Sequence, residues 1–173
     1  MEIFSIKKVQ SDSDIQIIGS LADEIWHEHY GKILCTEQID YMVDKFQSPS
    51  AITNDIRQGG YIYYLARHGE TPAGYCAFRP EEHEKAVFVS KIYVKKEFRG
   101  KGLATRFLDN VLTVAEQLNC QKLWLTVNKE NTGSIAAYEK LGFVIEDAMV
   151  TDIGSGFVMD DYKMSRPCIV RAD

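Results

Sequence analysis

Between residues 86 and 118 the chain passes from an apolar stretch, Ala86 to Val94, through a basic turn, Arg99-Gly100-Lys101-Gly102, into a regular apolar stripe. Leu103, Phe107, Leu108, Val111, Leu112, Ala115 and Leu118 recur at three and four residues, which places them on one face of a helix ending near Asn119. Strand, tight turn and amphipathic helix therefore follow one another directly. At such a helix start, free backbone N–H groups meet the positive end of the helix dipole, a setting for an anion such as a pyrophosphate. Gly100 and Gly102 allow close approach and unusual dihedrals, Ala104 keeps the next turn slim, and Arg99, Lys101 and Arg106 add positive charge. A lone Gly-x-Gly before a helix is more often only a tight turn with solvated charges.

Two familiar phosphate motifs do not apply. A P-loop ends in Lys followed by Ser or Thr, and here Gly102-Leu103 follows Lys101. The dinucleotide fingerprint would need a third glycine where Thr105 stands, and the turn does not open an early strand-helix-strand unit.

Elsewhere the pattern predicts a strand over residues 2 to 9 and a helix capped by Ser11 or Ser13. Its apolar positions are Ile15, Ile18, Leu21, Ala22, Ile25 and Trp26, and it ends near Gly31. Thr36 is expected to cap a second helix through Phe46, and Ser48-Pro49 to start a third that stops at Gly59-Gly60. Tyr61 to Arg67 and Ala73 to Arg79 read as a hairpin. After the central helix come a strand from Lys122 to Val127, a helix from Asn131 to Leu141 closed by Gly142, and strands Phe143 to Val150 and Phe157 to Met164. With no repeat, low-complexity tract or long linker, residues 1–173 are expected to form a single domain.

A net charge of -5 argues against nonspecific nucleic-acid binding, which needs many cationic side chains. No apolar run approaches the roughly 18 residues that span a bilayer, and the first residues lack a signal-peptide layout. The expectation is a cytoplasmic protein with neither a nucleic-acid nor a membrane partner. Cys35, Cys76, Cys120 and Cys168 are scattered without a Cys-x-x-Cys pair, so reduced packing cysteines are expected rather than a zinc or dithiol centre. His27 and His29 lie two apart, on different helix faces, which argues against a metal pair.

The run Arg99-Gly100-Lys101-Gly102-Leu103-Ala104 resembles the Arg/Gln-x-x-Gly-x-Gly/Ala signature of the GNAT family of N-acetyltransferases, and it follows the expected strand. Downstream, Asn131-Thr132-Gly133-Ser134-Ile135-Ala136-Ala137-Tyr138-Glu139-Lys140-Leu141-Gly142-Phe143 resembles that family's second motif. The tail from Thr151 to Tyr162 looks like a subgroup near the bacterial polyamine acetyltransferases of the PaiA type. The resemblance implies an α/β (α+β) fold: a mixed, mostly antiparallel central sheet with a V-shaped split, flanked by helices. It implies acetyl-coenzyme A as the acyl-donor cosubstrate. Transfer to a primary amine, whether polyamine, small amine or peptide amine, would proceed by direct attack in a ternary complex.

By the same resemblance the backbone at Ile92, Tyr93 and Val94 pairs with the pantetheine arm, and a backbone N–H near Tyr93 or Val94 stabilises the oxyanion. Arg99, Gly100, Lys101, Gly102, Leu103, Ala104 and Thr105 hold the pyrophosphate, while Asn131 touches the cofactor arm or serves as a helix cap. Tyr138 protonates the leaving thiolate. A homodimer is common in that family.

The acceptor side is less legible, because Ser90 and Lys91 stand where a catalytic carboxylate would be sought. Glu24, His27, Glu28, Asp160 and Asp161 are the candidate bases, each with a structural reading as a solvated or paired charge. The carboxylates among them, Glu24, Glu28, Asp160 and Asp161, together with Asp152 would attract a cationic amine. An acyl carrier at Cys76 or Cys120 is a competing chemistry, though neither has an activating His nearby in sequence. A noncatalytic acyl-coenzyme A sensor is the alternative from another class.

Overall fold

The computed structural model describes residues 3–169. Its elements are β1 (Phe4–Lys8), α1 (Asp12–Tyr30), α2 (Thr36–Met42), α3 (Pro49–Arg57), β2 (Ile62–His68), β3 (Thr71–Glu81), β4 (Ala86–Val94), α4 (Leu103–Gln117), β5 (Lys122–Asn128), α5 (Thr132–Lys140), β6 (Val144–Gly154) and β7 (Phe157–Pro167). Strand pairing follows the order β1-β2-β3-β4-β5-β7-β6, a mixed, mostly antiparallel sheet with helices, as expected. The chain divides into two compact units. One holds the residues up to Arg79 with Lys91–Asn110, the other Pro80–Ser90 with the residues from Val111 onward. Both β4 and α4 contribute to each unit.

In the first unit β1, β2 and β3 form an antiparallel meander, with Phe4 opposite His68 and Ile62 opposite Phe78. The β2–β3 turn is Gly69-Glu70, where Gly69 takes φ 59°, a conformation that favours glycine. Ser11 caps α1, its hydroxyl accepting from the Asp14 amide at 3.1 Å. All six expected apolar positions of α1 are buried. At Gly19 any side chain would run into Pro49, so α1 and α3 approach closely there.

The second helix departs from expectation. Thr36 is its first residue rather than its cap; Cys35 occupies the cap position and makes no side-chain cap bond. The α-helix stops at Met42 and continues as a π-helical turn over Val43–Gln47. Tertiary partners account for the change. The Phe46 carbonyl accepts from Lys91 Nζ at 2.8 Å, and Gln47 Oε1 accepts from the Tyr75 hydroxyl at 3.0 Å. Ser48 then caps α3, accepting from the Ala51 amide, with Pro49 in the first turn as expected.

In the second unit β4 and β5 run parallel over three residue pairs, Ala86↔Lys122 to Phe88↔Trp124. Seven antiparallel pairs join β5 to β7, and β6 lies at the edge. Leu123, Leu125 and Val127 alternate with half-buried residues along β5, so one face of that strand supplies the core with Val111, Ala115 and Phe143. Burying an aliphatic or aromatic side chain of this size contributes about 1.5–3 kcal/mol. Both β6 and β7 run further than the sequence pattern suggests, and they meet at a turn through Gly154, Ser155 and Gly156, all with positive φ. No helix among the described residues is long and apolar enough to cross a membrane.

Candidate functional site

Gly100 and Gly102 both adopt left-handed backbone, with φ 76° and 79°, and nothing lies within 4 Å of where a side chain would begin at either position. The loop is therefore shaped by glycine and open on its outer side. It enters α4 at Leu103, which is almost wholly buried, as is Phe107, so the start of the helix is fixed from below. Ala104 is half-buried, while Thr105 and Lys101 are exposed. Lys101 Nζ lies 5.9 Å from the centre of the Phe98 ring.

Two of the cations expected to add charge to this loop have protein partners. Arg99 donates both terminal nitrogens to Glu28, at 3.1 and 2.6 Å, and its Nε donates to the Val94 carbonyl at 2.9 Å. The guanidinium holds the Glu28 carboxyl below the usual carboxylate range. Arg106 donates to the Phe4 carbonyl at 3.0 Å. Backbone amides, rather than a cluster of unpaired guanidinium groups, are what the loop presents.

At the end of β4, Ile92, Tyr93 and Val94 are all half-buried. The register with β5 stops at Phe88, four residues before Ile92. Tyr93 belongs to an aromatic cluster: its ring lies 5.4 Å from that of Tyr75 and 5.5 Å from that of Trp26, and its hydroxyl is 3.3 Å from that of Tyr30. A side chain at Gly74 would come within 2.5 Å of the Tyr93 carbonyl, so only glycine lets β3 pass at that point.

Lys91, in the position where a carboxylate was sought, is buried. Its Nζ donates to the Tyr63 hydroxyl at 2.6 Å and to the Phe46 carbonyl, and lies 3.3 Å from Asp55 Oδ2. Tyr63 in turn donates to Asp55 at 2.6 Å. Burial pushes the lysine below its ordinary pKa, opposed by Asp55. This cluster was legible only as a charged residue interrupting an apolar strand.

In the second unit Asn131 is buried and caps α5, its side-chain oxygen accepting from the Ser134 amide at 3.3 Å. Tyr138 is half-buried on the same helix and meets Phe143 edge-on, with ring centres 5.9 Å apart.

Four of the five candidate bases are paired. Glu24 lies 3.4 Å from Lys95, and Glu28 holds Arg99. His27 meets the Asp23 carbonyl at 2.8 Å and Asp40 at 2.6 Å, which together raise its pKa. Asp160 pairs with Lys129 at 2.7 Å. Asp161 differs: it is 5% exposed, and no described residue gives it a hydrogen bond or ion pair. The cysteines are free thiols, and burial raises the pKa of both Cys76 and Cys120, which disfavours the reactive thiolate.

Residues 20–143 match the model of the acetyltransferase (GNAT) family. A spermidine N(1)-acetyltransferase of Escherichia coli is 39% identical over 92 residues, half of this chain and 45% of that enzyme, so the chain spans about half the length of that curated relative. An uncharacterised N-acetyltransferase of Mycobacterium tuberculosis is 30% identical over 133 residues, 77% of this chain and 84% of the relative. The PaiA N-acetyltransferase of Thermoplasma acidophilum, solved in complex with coenzyme A, shares the fold with a TM-score of 0.81 at 21% identity, covering 95% of this chain and 99% of that one. With the matched segment running from α1 through α5 and including the glycine loop, the chain belongs to the acetyltransferase (GNAT) family.

Proposed function

We propose that this protein transfers an acetyl group from acetyl-coenzyme A to a primary amine by direct attack, with residues 1–173 acting as one N-acetyltransferase domain. The observation that carries the reading is the open loop at Gly100 and Gly102 at the start of α4, inside the segment matched by the family. Its amides and the helix dipole suit a pyrophosphate, so the donor fits the residues present. When bound, acetyl-coenzyme A supplies an activated thioester.

In this reading residues 99–105 hold the pyrophosphate. The Ile92 and Tyr93 backbone pairs with the amide-rich arm as an added strand would, while the Val94 carbonyl is already engaged by Arg99. Asn131 keeps its capping bond and borders the arm. Tyr138 supplies the proton that the departing thiolate takes up. A cationic amine, such as a polyamine, is the preferred acceptor, supported by the name of the E. coli relative. The proposal also includes a cytoplasmic location and a homodimer, the latter checked by light scattering.

Release of free thiol from acetyl-coenzyme A in the presence of spermidine, lysine or a peptide amine tests the reading. Coenzyme A binding without turnover on any amine would replace it with the sensor function.

A further inference from the structure

We propose that Asp161 is the group that takes the proton from the cationic amine before it attacks, an inference that rests on the acetyltransferase reading. Burying a carboxylate away from water is unfavourable unless a cation or several donors accompany it, so buried carboxylates are normally paired. Asp161 is 5% exposed, its carboxylate keeping only a narrow contact with water; no described residue gives it a hydrogen bond or ion pair, and the cation that acts on it, Lys129, is itself paired with Asp160. An ammonium group supplies both missing elements, positive charge and N–H donors.

The surroundings have a consistent arrangement. Asp161 stands directly opposite Asn128 of β5 and Met149 of β6, and opposed residues of an antiparallel ladder share a face. Asn128 ends β5, and its carbonyl accepts from the Asn131 amide, so Asp161 lies beside the connection into α5, the helix that carries Tyr138. The nearby charges are directed elsewhere. Lys129 pairs with Asp160. Lys163, two residues along the same face, lies over the Trp124 ring at 4.7 Å and 3.9 Å from Glu146. Asp147, opposite Lys163, accepts from the Ala148 amide.

Burial pushes Asp161 up to about 6, with Asp160 adding to the rise and Lys129 opposing it. A base that titrates there is charged at neutral pH yet able to hold a proton during turnover. In the proposed step one N–H proton of the ammonium moves to an Asp161 oxygen. The freed lone pair forms the nitrogen–carbon bond as the carbon–sulfur bond breaks. The nitrogen's second proton balances the one taken by the thiolate, and Asp161 returns its proton to solvent.

The test compares wild type, Asp161→Asn and Asp161→Glu, with acetyl-coenzyme A and whichever of spermidine, lysine or a peptide amine the wild type acetylates. Asp161→Asn is expected to lower kcat about a hundredfold or more and to remove the rise of kcat/KM through pH 6, while its coenzyme A affinity by calorimetry stays unchanged. Asp161→Glu should retain part of the activity. Because the raised pKa means the charged form is disfavoured in the fold, Asp161→Asn should melt above the wild type at pH 7, and the two should converge below about pH 4, where both states hold the proton. An Asp161→Asn protein with wild-type kcat and pH profile overturns the assignment and leaves the acetyltransferase reading standing. A wild type that binds coenzyme A but releases thiol with no amine overturns both. If Asp161→Asn does not fold, carboxyl NMR of the wild type decides: titration near 4 overturns the proposal and titration near 6 supports it.

Discussion

Arg99 and Glu28 are joined by two parallel hydrogen bonds, the form in which a guanidinium and a carboxylate fix each other's orientation most firmly. With the bond from Arg99 to the Val94 carbonyl, this ties the first residue of the glycine loop to α1 and to the end of β4. The pair is about one-third exposed on both sides, so solvent screening limits its contribution.

Glu28→Gln is expected to lower stability by about 0.5 kcal/mol at pH 7. Glu28 has a depressed pKa in the fold, so its contribution is present above the unfolded carboxylate value and lost as pH falls through the folded one. Melting curves of variant and wild type should therefore converge in acid, once the pH has fallen below the depressed pKa of Glu28 in the fold. A difference that persists there would mean the pair's charge is not what stabilises it.

Gly102→Glu should abolish coenzyme A binding, measured by calorimetry. A carboxylate would repel the pyrophosphate, and a side chain at φ 79° adds strain of about 1–2 kcal/mol. Circular dichroism checks that the fold persists. Unchanged affinity in a folded variant would remove the loop from the site.

Tyr138→Phe is expected to keep coenzyme A affinity and the contact with Phe143 while lowering kcat about a hundredfold. Equal turnover, under conditions where chemistry limits the rate, would assign the proton to another group or to solvent.

Lys91→Ala should destabilise the protein by about 3 kcal/mol, because it removes the cation beside Asp55 and leaves the Phe46 carbonyl and the Tyr63 oxygen without the donor they share. Urea denaturation measures this. A loss below about 1 kcal/mol would show that water enters and takes over the lysine's bonds.

Much of the fold was legible where a local cause acts. The bounds of β4, Ala86 and Val94, follow from an apolar run broken only by Ser90 and Lys91, and Ser11, Ser48 and Asn131 act as caps because their oxygens reach amides three residues on. What escaped depends on residues distant in sequence. The α2 helix becomes a π turn where Lys91 and Tyr75, 45 and 28 residues away from their partners, bind the Phe46 carbonyl and the Gln47 side chain. Arg106 reads as a loop cation until the Phe4 carbonyl is seen beside it. Of the five acidic or histidine candidates, sequence could not separate Asp161 from the others, since their ion pairs form across elements.

The π turn at Val43–Gln47 holds more residues per turn than an α-helix would, which makes it sensitive to length rather than to composition. A π turn carries about one residue more than the α turn it replaces, so removing one residue there would let the segment relax into a continuous α-helix while the residues on either side keep their facing. What would be lost is the widened backbone at which the Phe46 carbonyl and Gln47 meet Lys91 and Tyr75. Among related chains, a single-residue deletion in this stretch should therefore be accompanied by changes at the positions of Lys91 and Tyr75.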